Sequence, residues 1–265
     1  MEGASIRVAY ETIKKSLKTT FVISLIFMGM AAMYSSFYPS FKGSLEELIK
    51  DFPQMGFIRG FESFASYPGF LNAELYQIFW ILILAIIFGY VAASLISEEI
   101  EGKTMDMLLS NPIPRYRIVL DKFLGLVPFV LVVNFATMAS VYGITMAINE
   151  ELSFANLLTT HTLSIPYFLA NISLGVLVST IIDKKMKASM VVMALVIGSY
   201  IFESVSLLAP DYEKLGLISL THYYNPAETL IEGNIDITGT ITLVIVTISF
   251  LLAAIMYFEK RDIEI

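Results

Sequence analysis

The 265-residue chain contains no cysteine. Disulfide frameworks, thiolate nucleophiles and Cys-ligated zinc are thereby excluded. Charge is also scarce: 15% of residues are charged and 56% are hydrophobic, against roughly a quarter charged in a soluble domain. With a mean hydropathy of +0.72, this shortage points to lipid rather than water as the solvent. The net charge of -7 has the wrong sign for a nucleic-acid partner, whose phosphates select basic surfaces. Histidine occurs twice, as His161 and His222. Both fall in outer loops of the span assignment below, in no H-E-x-x-H arrangement, and read as surface residues rather than metal ligands. No nucleophile–base or carboxylate pair lies at matching depth for an intramembrane hydrolase. The 13 methionines are scattered and read as packing residues.

What is present is a series of long apolar runs. A helical span needs about 20 apolar residues, and six runs qualify: approximately 19–38, 73–96, 123–148, 163–182, 188–209 and 238–258. Residues 5–18 set an apolar stripe (Ile6, Tyr10, Ile13, Leu17) against a charged one (Arg7, Glu11, Lys14, Lys15, Lys18), the pattern of a helix lying in the membrane interface. Residues 210–237 form a longer polar loop with apolar patches. Of the 17 lysines and arginines, all but Lys42, Lys50, Arg59 and Lys214 fall on the side that holds both termini, which makes that side cytoplasmic. The outer loops are acidic, either as simply solvated segments or as a cation-attracting vestibule. The expected fold is an all-α membrane protein with six transmembrane helices, N- and C-termini cytoplasmic, and no separate soluble domain.

Residues 97–122, SEEIEGKTMDMLLSNPIPRYRIVLDK, are a long mixed-charge passage between two apolar runs. Glu98, Glu99 and Glu101 suit the N-terminal end of a short helix, where the backbone dipole favours negative charge. Met105, Leu108 and Leu109 give it one apolar face at i, i+3 and i+4. Pro112 and Pro114 end it. Gly102-Lys103-Thr104 matches the tail of a phosphate-binding loop, but Ser97 stands where its first glycine belongs, and three glutamates would repel a polyphosphate. ATP binding by this chain is therefore rejected. Inside the spans, Asn134, Asn171 and Glu203 are candidate pathway residues. Glu203 is the one acid well within an apolar run, where both a transport and a structural role fit.

The stretch E-E-x-E-G-K-T-x-x-x-L-L-S-x-P-I-x-R, followed by Lys122, resembles the signature of permeases of the type-2 ABC exporter family. The matching residues are Glu98, Glu99, Gly102, Thr104, Leu108, Leu109, Ser110, Pro112, Ile113, Arg115 and Lys122. Lys103 intervenes where family members often have glycine directly before the threonine. The closing FEKRDIEI (Phe258, Arg261, Asp262) and residues 217–236 resemble further parts of the family pattern. The resemblance implies one half of a translocation pathway, paired with a second permease, identical or related. Separate ATP-binding-cassette ATPase subunits would carry ATP and Mg, with no cofactor or catalytic residue on this chain. It also implies a coupling helix over 98–112 that docks on the ATPase, Met105 included. A second cytoplasmic contact would lie at Asp183, Lys184, Lys185 and Lys187, and the 210–237 loop would re-enter the outer leaflet. Two other readings fit the residues: a secondary transporter driven by an ion gradient, and a membrane scaffold whose polar segment recruits a partner.

Overall fold

A computed structural model of the chain describes residues 2–51, 59–60, 63–110 and 113–262. Pro112 of the expected coupling segment lies outside the described residues. Among those residues there is no strand. Among the described residues, six helical stretches are long and apolar enough to cross a membrane.

Helix α1 (Glu2–Asp51) runs unbroken for 50 residues. The surface helix expected over 5–18 and the span expected over 19–38 are thus one element. Between them stands neither glycine nor proline, and the Ser16 and Thr20 hydroxyls bond back to the carbonyls of Ile13 and Ser16, so the helical ladder has no reason to stop. Helix α2 (Tyr67–Glu101) begins at Ser66, whose hydroxyl accepts the Gly69 N–H; its stretch Asn72–Leu84 is wound as a π-helix. The short α3 (Met105–Leu109) follows. Then come α4 (Arg115–Leu124) and α5 (Val127–Ile148), which share one span. They are separated by a turn at Gly125, where a Cβ would meet Thr12 of α1 at 2.6 Å. Helix α6 (Phe154–Ile181), α7 (Lys185–Leu208) and α8 (Ile237–Lys260) complete the set.

Helix α6 is the centre of the bundle, in contact with α2, α5, α7 and α8. Of its most apolar window 67% is buried, against 17% for α7 and for α8. Lipid gives helices no hydrophobic reason to associate, so close backbone approach at small residues matters more than in water. The α2–α6 crossing shows it: a Cβ on Gly175 would lie 2.7 Å from both the Ala92 Cβ and the Gly89 carbonyl. Around this crossing Trp80, Phe88, Phe129 and Phe168 pack edge to face.

After α7 the chain turns back on itself. Two 3-10 turns, Pro210–Ile218 and Leu220–Tyr223, fold against α7, where the Ser219 hydroxyl donates to the Ser199 carbonyl at 2.7 Å and the Leu220 N–H to the Ser199 hydroxyl at 2.9 Å. At a rise of about 1.5 Å per residue, Ser199 lies roughly 13 Å back from the end of α7. Tyr224 then stacks on Tyr167 of α6 and donates its hydroxyl to the Thr160 carbonyl at 2.9 Å. Up-and-down connectivity gathers the start of α1, the α2–α3–α4 connection, the α6–α7 turn and the end of α8 at one end, here the junction end. The opposite, distal end carries residues 59–66, 149–153 and 209–236.

Candidate functional site

The glutamates of the junction belong to a different helix from the one their sequence suggests. Glu98, Glu99 and Glu101 form the last turn of α2, not the first turn of α3. Gly102 ends α2; Thr104 N–H returns to the Glu99 carbonyl at 2.9 Å and Lys103 N–H to the Ile100 carbonyl at 3.1 Å. This is the six-to-one, five-to-two pattern of a Schellman cap. Lys103 occupies its left-handed position, at φ 54°, where glycine is the easy residue.

Acids at a helix C-terminus oppose its dipole, and each of these three has a compensating partner. Glu98 receives Lys15 of α1 at 2.7 Å and Lys185 of α7 at 3.1 Å. Glu99 receives the Lys122 ammonium at 3.2 Å and the Thr104 hydroxyl at 2.5 Å. Glu101 accepts the backbone N–H of Lys185 at 2.9 Å, the first residue of α7. The carboxylate does sit at a helix N-terminus, but that of a helix distant in sequence. The end of α2 is therefore a hub to which α1, α4 and α7 are tied.

Helix α3 hangs from this hub. Met105 is buried, and Leu108 and Leu109 are half-buried against the core. The apolar face read as an ATPase-docking surface thus seats the helix on the bundle. Exposed instead are Glu101, Gly102, Lys103 and Ser110. Ile113 is half-buried, and Arg115 bonds the carbonyls of Phe258 and Arg261. In the α6–α7 turn Asp183 pairs with Arg261 and Lys185 with Glu98, while Lys184 and Lys187 are exposed.

At the distal end Glu203 is buried, 3% exposed, and ion-paired with Arg59. It also accepts the His222 Nδ1 at 3.0 Å. The Arg59 backbone is fixed as well, its carbonyl receiving the Asn72 amide of the π-wound stretch at 2.7 Å. Burial first, and the Arg59 charge second, hold His222 below the ordinary imidazole value, against Asp236 and Glu213. Burial also pushes the Tyr224 hydroxyl up. Beside the cluster lies an open cavity of about 490 Å³ whose lining includes Arg59, His222, Glu228, Glu232 and Asp236.

The profile of the ABC-2 family transporter protein matches residues 10–263. The chain belongs to that family. It is a multi-pass membrane permease of the ABC transporter type. A comparison with curated proteins finds no match.

Within the permease, the candidate pathway residues Asn134 and Asn171 are bonded within the chain itself. Asn134 donates to the Ser164 hydroxyl at 2.6 Å and accepts from His161 Nδ1 at 2.8 Å. That contact makes Nδ1 the protonated nitrogen and Nε2 the acceptor of the Tyr76 hydroxyl, also at 2.8 Å. Asn171 donates to the Tyr167 carbonyl one turn back at 2.9 Å. His161 is accordingly a fully buried residue of α6 rather than a loop residue. Of the Thr-Thr-His-Thr run that lowers hydropathy there, Thr160 and His161 face inward, where Thr229, Tyr76 and Asn134 bond them, while Thr162 is exposed. His222 is not a bland surface residue either, since Glu203 binds it. The one usable signal for His161 was Asn134, another polar side chain at a depth that needs a partner; no pattern pointed from Glu203 to His222.

Proposed function

We propose that this permease is the membrane half of an ATP-driven exporter of the cell membrane, working with a second permease subunit and with separate ATPase subunits that hold ATP and Mg. The junction end faces the cytoplasm, as the distribution of lysine and arginine requires. Helix α3, with the Schellman turn before it, is the coupling element. The observation that carries the reading is the hub: the last turn of α2, from which α3 hangs, is tied by Glu98, Glu99 and Glu101 to α1, α4 and α7 at once. A push on α3 reaches several spans together, as a lever between a motor and a tilting bundle must. The docking face is the Glu101–Gly102–Lys103 turn and Ser110, with Lys184 and Lys187 beside it as the second contact. The turns at 210–223 act as a re-entrant closure of the distal end, supported by their seat along α7 at Ser199. The buried Glu203 is neutralised by Arg59, which favours an architectural anchor over a proton-carrying site and so disfavours an ion-gradient carrier.

The test is isolation of the tagged chain in mild detergent and identification of what accompanies it. An ATPase with a phosphate-binding loop is expected. Concentrative flux by the reconstituted chain alone, with no nucleotide hydrolase present, would overturn the reading.

A further inference from the structure

Arg115 stands in the first turn of α4, where a positive charge opposes that helix's own dipole. Its guanidinium serves another helix. It donates to the carbonyls of Phe258 at 3.2 Å and Arg261 at 2.6 Å, acceptors at and just past the last turn of α8, where a helix end leaves carbonyls without intrahelical partners. It also lies 5.9 Å from the Phe258 ring. Arg261 repeats the arrangement one helix further on. Its guanidinium donates to the Thr180 carbonyl in the last turn of α6 and pairs with Asp183 just beyond it. Each arginine caps the end of a helix remote in sequence, in the sense that helix's dipole favours. Ordinary capping needs no such reach, since Lys260 is already in the last turn of α8.

We infer that Arg115 and Arg261 form a two-step strut that carries displacement of α3 to the junction ends of α8 and α6. The glutamate hub reaches α1, α4 and α7; the arginines reach the two remaining spans. Arg115 follows the end of α3 by six residues in the chain, and its helix α4 is tied to the same hub through Lys122 and Glu99. Both residues are positioning residues for the coupling step. The inference rests on the reading of α3 as the ATPase-docking element.

The test is hydrogen exchange on the purified permease–ATPase complex, with and without vanadate-trapped nucleotide. In the parent complex, trapping changes exchange at 98–110, 178–183 and 257–262; residues 184–187 are left out of the comparison because Lys185 is tied to the hub directly. In Arg115→Gln the change at 98–110 persists, while those at 257–262 and 178–183 are lost. In Arg261→Gln the change at 257–262 persists and that at 178–183 is lost. A role confined to stability would alter basal exchange and leave the nucleotide-dependent differences in place. Should Arg115→Gln fail to accumulate, Arg261→Gln decides the matter by its own pattern. A change at 257–262 that survives Arg115→Gln, or one at 178–183 that survives Arg261→Gln, overturns the strut. Absence of any nucleotide-dependent change at 98–110 in the parent complex would instead remove the docking reading, and the strut with it.

Discussion

The pairs made by Glu98 at the junction end and by Glu203 at the distal end are of opposite character. At the junction, Lys15 and Lys185 share Glu98 with side chains 56%, 41% and 34% exposed. Such pairs contribute about 0–1 kcal/mol each and exchange partners readily. At the distal end, Glu203 has a side chain 4% exposed and faces Arg59 and His222. Breaking that contact leaves a largely buried charge without its ion-pair partner. The junction thus combines exposed, replaceable pairs at Glu98 with one more buried pair, Lys122–Glu99, while the Glu203 cluster of the distal end is closed over by the returning 210–223 turns.

The largest effect is expected from Glu203→Ala, which leaves the half-buried Arg59 without its ion-pair partner. Loss of one partner of a buried pair costs about 3–5 kcal/mol, so thermal unfolding in detergent should fall steeply and the 210–223 turns should lose exchange protection. An unchanged melting temperature would erase the contrast. Glu98→Gln removes two pairs at the junction and should cost about 1 kcal/mol or less, given their exposure and the screening of surface charge. A loss comparable to that of Glu203→Ala would show that the junction is as rigid as the distal cluster. The smallest effect concerns pH. Because folded His222 is held below its ordinary value of 6.5, the unfolded chain takes up a proton first on acidification. Stability should then decline as pH falls through that value, until the folded imidazole also protonates. His222→Gln should flatten this part of the pH profile of the melting temperature, and a profile identical to that of the parent would contradict it.

Much of the fold was legible in the sequence because a bilayer imposes a length on every span, and six runs of that length stand out. The positions of Glu98, Glu99 and Glu101 were misread for a physical reason. Carboxylates favour helix N-termini in isolation, but the cations and the α7 amide that hold them at the end of α2 come from Lys15, Lys122 and Lys185, remote in the chain. Lys103 carried a usable signal. It stands where family members often have glycine, and its backbone takes the left-handed turn that glycine favours. The apolar triad Met105, Leu108 and Leu109 was legible as one face, but periodicity does not say what a face meets, and here it meets the bundle. Glu203 was conspicuous as a lone acid in an apolar run. Its partners were not, since Arg59 and His222 lie on connections whose course no pattern predicts.

The central claim is that the turn before α3 meets an ATPase. A photo-crosslinking residue placed at exposed Lys103, with a second at Ile218, 71% exposed at the distal end, tests it directly in native membranes. The account predicts that position 103 captures an ATPase with a phosphate-binding loop, that nucleotide alters the yield, and that position 218 captures none. Capture of the ATPase from position 218 but not from 103 would contradict it.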